Sequence, residues 1–166
     1  MSEQAFGTNE ALDQALCSAV AKRLAEAVAL RGSATLVVSG GSTPRELYRL
    51  LAKTSLSWQK ITVLLADDRW VPLDHEDSNE RMVRELLLCD EAASAHFLSL
   101  APSYPDEAAN LLQVEAALTQ LPTFDVVLLG MGLDGHTASL FPCSADINHA
   151  MTTTARVAMT QPAAAP

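Results

Sequence analysis

Three short, nearly unbroken apolar runs, Ala34 to Val38, Ile61 to Ala66 and Phe124 to Leu129, each lead straight into a polar, turn-forming segment. Such runs fit strands covered on both faces in a parallel sheet, because a strand with one wet face would alternate apolar and polar residues. Helical periodicity fills the intervals. Leu12, Leu16, Val20, Leu24 and Val28 recur every four residues, predicting a helix from about Ala11 to Leu30 that Arg31-Gly32-Ser33 ends. Pro44 to Lys53, Glu80 to Cys89 and Pro105 to Leu118 carry further apolar stripes. His96 to Leu98 offers a short strand, and Ala155 to Thr160 another before a loop or linker at Gln161 to Pro166. Strands alternating with helices call for right-handed crossovers, and so for a doubly wound, mostly parallel α/β sheet with helices on both faces.

The chain has 166 residues, 49% of them hydrophobic, which suits one domain with a substantial core. A formal net charge of -9 argues against a broad nucleic-acid surface or an anionic-membrane surface. It leaves room for a small anionic ligand, since short-range donors outweigh a diffuse, salt-screened field. Cys17, Cys89 and Cys143 have no C-x-x-C spacing and read as reduced thiols. No basic leader and no long apolar span is visible, so the expected location is cytoplasmic, without a membrane partner.

In an open parallel sheet the loops at the carboxyl ends of the strands carry function. The first here is Ser39-Gly40-Gly41-Ser42-Thr43-Pro44-Arg45-Glu46. Thr43 and Glu46 have the spacing of a reciprocal capping box, and Pro44 suits a first helical turn. Gly40 and Gly41, the Ser42 and Thr43 hydroxyls and the free amides of the helix start, with Arg45 beside them, make an anion cradle. It lacks the Walker spacing of a nucleotide loop.

The second loop opens with Asp67-Asp68-Arg69-Trp70-Val71-Pro72. Carboxylates and an arginine directly after a buried strand are costly to leave alone, so they are expected to pair with each other or with a ligand. Arg69 is the candidate fixed positive charge, Trp70 and Pro72 wall the loop, and Asp77, three residues before Glu80, is a candidate helix cap. His75 reads as a loop residue rather than a metal ligand.

The third loop, Gly130-Met131-Gly132-Leu133-Asp134-Gly135-His136-Thr137-Ala138-Ser139, places a carboxylate and an imidazole two residues apart. Gly130, Gly132 and Gly135 match a dinucleotide fingerprint, but Pro142 interrupts the short helical opening after Gly135, and Asp134 would repel a pyrophosphate. A reaction centre at Asp134 and His136 is the better reading.

Taken in order and spacing, these three segments resemble the signatures of the 6-phosphogluconolactonase family, which is grouped with glucosamine-6-phosphate deaminase. The resemblance implies a Rossmann-like fold of the NagB/RpiA/CoA transferase-like kind and hydrolysis of 6-phospho-D-glucono-1,5-lactone in the oxidative pentose phosphate pathway. It implies a phosphosugar lactone as the ligand and no cofactor or metal. Carried over residue by residue, it makes Gly40, Gly41, Ser42 and Thr43 the phosphate loop, with Arg45, Gly132 and Gly135 beside the substrate. It makes Asp67, Asp68 and Arg69 the acidic-arginine loop and His136, with Asp134, the catalytic pair. The deaminase branch carries an Asn-Glu pair where Leu140 and Phe141 stand here, which favours the lactonase. Family members continue well past this length with strands, a helix and basic residues that grip phosphate. A single truncated domain over residues 1–166 is therefore expected, binding 6-phosphogluconate weakly and turning over little lactone.

The chemistry expected at these residues is general-base catalysis. Neutral His136 draws a proton from the water attacking the lactone carbonyl, Arg69 and loop amides stabilise the oxyanion, and the imidazolium returns the proton to the leaving ring oxygen. The alternatives are a deaminase-like isomerase, with Asp67 abstracting a carbon-bound proton, and a non-catalytic sugar-phosphate-binding fragment.

Overall fold

The computed structural model describes residues 3–161. Four parallel strands, β1 (Ala34–Val38), β2 (Ile61–Leu65), β3 (His96–Leu98) and β4 (Val126–Val127), stand in the order β3-β2-β1-β4. Helices α1 (Asn9–Arg31), α2 (Arg45–Ala52), α3 (Asn79–Leu86), α4 (Glu107–Thr119) and α5 (Ile147–Thr152) surround them. The pleat sends successive side chains to opposite faces. Leu36, Val38, Val63 and Leu65 meet Val20 and Leu24 of α1, Leu47 and Leu51 of α2 and Val83 of α3. Val37 and Leu64 meet Val114 and Leu118 of α4 on the other face. β1 and β2 are therefore covered on both sides, which is why their sequences do not alternate, and the sheet is doubly wound as expected.

The order has a functional consequence. The chain leaves β1 toward β2 and β3, then returns through α4 to place β4 on the other flank of β1. Crossovers that diverge on either side of β1 open a crevice at the carboxyl ends of β1 and β4, the usual ligand position in such sheets. The first and third polar loops border that crevice.

Several local expectations are corrected. α1 begins earlier than Ala11 because Thr8 caps it, its Oγ1 accepting from the Ala11 amide at 3.2 Å; Gly32 ends it at φ 81°. Leu12 at the start of the stripe stays exposed. No side chain caps α2, because Pro44 itself occupies the cap position, leaving Thr43 outside the helix and Glu46 paired with Arg49 instead. Ser78, rather than Asp77, caps α3 through the Arg81 amide. The Phe124–Leu129 run contributes only Val126 and Val127 to the ladder, although Asp125 and Leu128 amides still donate to Thr35 and Val37 carbonyls. Among the described residues β4 pairs only with β1, and Val127 is 47% exposed rather than covered on both faces. Ala155 to Thr160 is not a strand. The Arg156 and Val157 amides donate to the Glu115 carboxylate, so a side chain takes the donors that a ladder would need. Of the expected terminal loop, Pro162 to Pro166 lies outside the described residues.

Among the described residues no helix is long and apolar enough to cross a membrane.

Candidate active site

The loop after β1 is anchored from beneath. Tyr48, fully buried on α2, donates its hydroxyl to the Ser39 carbonyl at 2.6 Å and accepts from the Ser39 amide at 3.1 Å. Burial pushes the phenol up to about 12, against the lowering effect of those two bonds, so it stays a neutral strut. Beyond it Gly41 turns the chain at φ 91°, and Ser42, Thr43 and Arg45 are exposed around the uncapped start of α2. The Arg45 amide reaches the Ser42 carbonyl at 3.5 Å, while among the described residues no side chain caps the Glu46 and Leu47 amides.

In the loop after β2, Asp68 and Arg69 do not pair with each other as ions, which was one of the two arrangements expected. Asp68 reaches across eleven residues to accept from the amides of Asn79 at 2.7 Å and Glu80 at 2.9 Å, and also from Arg69 at 2.8 Å. Burial raises its pKa above the ordinary 3.8; the amide bonds pull the other way and the nearby Glu80 charge adds to the rise. The N-terminus of α3 is thus occupied by protein, unlike that of α2. Arg69 donates through Nη1 to the Asp77 carbonyl at 2.9 Å and Asn79 Oδ1 at 3.0 Å. Asp67 accepts from Ser139 Oγ at 2.6 Å, which ties the second loop to the third. Trp70 packs edge-on against Tyr104 with ring centroids 5.2 Å apart, and Pro72 lines a neighbouring cleft of about 400 Å³. His75 is an exposed loop residue, as expected.

In the third loop Gly132 donates its amide to the His136 carbonyl at 2.8 Å, Gly135 turns the chain at φ 86°, and Thr137 Oγ1 ties back to the Gly130 carbonyl at 2.8 Å. This compact turn brings Asp134 Oδ1 within 2.5 Å of His136 Nδ1. The His136 bond is the main reason the Asp134 carboxyl titrates below 3.8. An ionised carboxylate can only accept, so Nδ1 carries the proton, and in the neutral imidazole the lone pair sits on Nε2. Phe141 stacks on the imidazole with centroids 4.6 Å apart, fixing the ring plane.

Gly132 is indispensable to that arrangement. A Cβ there would lie 2.2 Å from His136 Cε1 and 2.7 Å from Asp134 Oδ1. Gly132→Ala is therefore expected to displace the ring and reduce turnover about ten- to a hundredfold, with the unfolding midpoint little changed because the loop is peripheral to the core. Activity and thermal unfolding measured together check this.

The pH response of Asp134 has a defined sign. A carboxylate whose folded pKa is depressed stabilises its turn above the ordinary value and loses that contribution as pH falls through the depressed one. A carbon-13 titration of Asp134 should give a midpoint below 3.8 that returns toward 3.8 in His136→Ala. An unchanged midpoint would refute the assignment of His136 as the cause.

The structure thus brings Asp134 to His136, and Asp67 to the third loop, while Arg69 sits in the second loop beside Asn79. Sequence reasoning gave no site role to Tyr48, Asn79 or Ser139. Asn79 and Ser139 fall within segments that carry the family resemblance, but the contacts of Tyr48 with Ser39, of Asn79 with Asp67 and Arg69, and of Ser139 with Asp67 are made only by the folded chain.

The fold and the site together place an uncapped helix start and an Asp-His pair at the switch point of a doubly wound α/β sheet. The family model described as glucosamine-6-phosphate isomerases/6-phosphogluconolactonase matches residues 7–166, and the chain belongs to that family. A 6-phosphogluconolactonase of Pseudomonas putida is 48% identical over 128 residues, covering 77% of this chain and 53% of the relative. One of Rhizobium meliloti strain 1021 is 45% identical over 148 residues, covering 88% and 63% respectively. The crystal structure of a 6-phosphogluconolactonase from Shewanella baltica OS155 superposes with a TM-score of 0.93 at 48% identity, covering 97% of this chain and 70% of that one. The chain therefore spans between 53% and 63% of the length of these two curated relatives.

Proposed function

We propose that the protein hydrolyses 6-phospho-D-glucono-1,5-lactone to 6-phospho-D-gluconate in the oxidative pentose phosphate pathway, with residues 1–166 contributing one α/β sugar-phosphate domain. The observation that carries this reading is the 2.5 Å bond from His136 Nδ1 to Asp134, which leaves Nε2 as the available base. Nε2 takes a proton from water as the water oxygen bonds to the lactone carbonyl carbon. The tetrahedral oxyanion then collapses, the carbon to ring-oxygen bond breaks, and the imidazolium gives its proton to the departing oxygen. The new carboxylic acid ionises in solvent. Asp134 holds the tautomer and faces the cation that forms on the ring. The amides of the α2 start, with Ser42, Thr43, Gly40, Gly41 and Arg45, receive the phosphate, and Arg69 supplies positive charge, with Gly132 and Gly135 shaping the turn. Asp67, held by Ser139, lines the crevice as a hydrogen-bond acceptor. No cofactor takes part in these steps.

Phe141 stacked on His136 argues against the deaminase reading, since an apolar ring stands against the imidazole where that chemistry employs a carboxylate. A cytoplasmic location is part of the proposal, supported by the free thiols of Cys17, Cys89 and Cys143.

The test uses the protein expressed from its native reading frame. Lactone consumption above the spontaneous rate, with no ammonia released from glucosamine 6-phosphate, is the expected result. Ammonia release without lactone consumption would replace this reading with the deaminase one.

A further inference from the structure

We propose that Asn79 is a positioning residue that aims the Arg69 guanidinium at the anion held by the β1 loop; the inference rests on the lactonase reading for the identity of that anion. Asn79 is 3% exposed and begins α3. Its position is set before its side chain is considered, because the Asp68 carboxylate holds its backbone amide at 2.7 Å. The side chain then joins the loops. Nδ2 donates to the Asp67 carbonyl at 3.1 Å, Oδ1 accepts from Arg69 Nη1 at 3.0 Å, and the amide group rests directly on Gly40. A Cβ on Gly40 would lie 2.0 Å from Asn79 Oδ1, so the β1 loop and this amide are in van der Waals contact with no room for a side chain between them. Arg69 is thereby registered against the glycine loop through one intermediate group.

The choice of an amide matters as much as its place. Both acceptors of Arg69, the Asp77 carbonyl and Asn79 Oδ1, are neutral and both bind Nη1. Among the described residues Nε and Nη2 bond to nothing, and no carboxylate lies within ion-pair distance of the guanidinium. Asp68 is committed to α3 amides, and one Asp67 oxygen to Ser139. One nitrogen is thus anchored while the rest of the fork and the full charge stay open for an anion, the geometry in which arginine binds phosphate or carboxylate bidentately. An aspartate at position 79 would keep the shape but pair with the charge and set its oxygen against the Asp67 carbonyl.

Two measurements test this on the protein expressed from its native reading frame. In the first, 6-phosphogluconate binding and lactone kinetics are compared for wild type, Asn79→Ala, Asn79→Asp, Arg69→Ala and the two double variants. Each Asn79 substitution is expected to weaken binding or kcat/KM about tenfold, and to have almost no further effect in the Arg69→Ala background. Additive losses would overturn the proposal, since they would mean that Asn79 acts on the fold rather than through Arg69. In the second, the Arg69 guanidinium is followed by nitrogen-15 NMR without ligand. Held, separate Nη signals in the wild type that merge in Asn79→Ala are expected. Freely averaged signals in the wild type would also overturn it. If neither lactone turnover nor 6-phosphogluconate binding is found, the functional reading fails, while the guanidinium signals still decide whether Asn79 holds Arg69.

Discussion

Replacing His136 by alanine is expected to lower lactone turnover by about two to four decades, the usual worth of positioned general acid-base catalysis, in protein expressed from its native reading frame. The loss should fall on kcat more than on KM. His136 is joined to Asp134, Gly132 and Phe141 within its own loop, whereas the phosphate cradle is built from the β1 loop and the start of α2. Removing the ring deletes the group that moves the proton and leaves the anion donors in place. Stability should change little, since the imidazole contributes to no core cluster and its partner Asp134 is exposed. Binding of 6-phosphogluconate by the variant separates the two effects. Wild-type-like turnover would remove His136 from the mechanism, while loss of product binding together with turnover would make it part of the cradle. Asp134→Asn provides a companion measurement, because a neutral amide no longer dictates which nitrogen carries the proton.

How much of the fold was legible in the sequence depended on the range of the interaction. β1 and β2 were legible because both faces of each strand are covered, so Leu36 and Val38 face one helical layer while Val37 faces the other. The same argument overstated β4, whose apolar run is equally continuous but which leaves Val127 and Leu129 about half exposed and, among the described residues, pairs only with β1. The Asp134-His136 pair was legible because a glycine turn forces two nearby residues together. Helix starts were less so. The spacing of Thr43 and Glu46 satisfies a capping box, yet Pro44 takes the cap position and moves both out of register. At α3 the local candidate Asp77 lost to Ser78, and the larger share of capping came from Asp68, on the previous strand's loop. Asn79 illustrates the limit most clearly: its side chain is satisfied by Asp67 and Arg69 and pressed on Gly40, partners that only the folded sheet assembles.

Asp68→Ala should be the most destabilising polar substitution in the site, at about 2–4 kcal/mol. The carboxylate satisfies the amides of Asn79 and Glu80, both buried, and that of Arg69. Its removal leaves buried donors without an acceptor, each costing about 1–3 kcal/mol when no water replaces it. Part of that cost is offset because a partly desolvated charge is removed as well, which is why the sum stays below the total for all the lost bonds. Ser78 still caps the Arg81 amide, so α3 should loosen at its first turn rather than unfold. The pH dependence distinguishes this group from an ordinary cap. Because burial raises the Asp68 pKa above 3.8, its contribution to stability is greatest below that ordinary value and declines as pH rises through the raised one. The deficit of Asp68→Ala relative to wild type should therefore grow when denaturant unfolding is moved from about pH 7 to about pH 4. A cap with a depressed pKa would show the reverse, its advantage shrinking in acid as the carboxylate is protonated. A deficit that shrinks would mean that the amide bonds outweigh desolvation at Asp68, and that the N-terminus of α3 holds a fully charged acceptor. Activity should fall along with stability in this variant, since Asn79 and Arg69 are positioned from the same helix start.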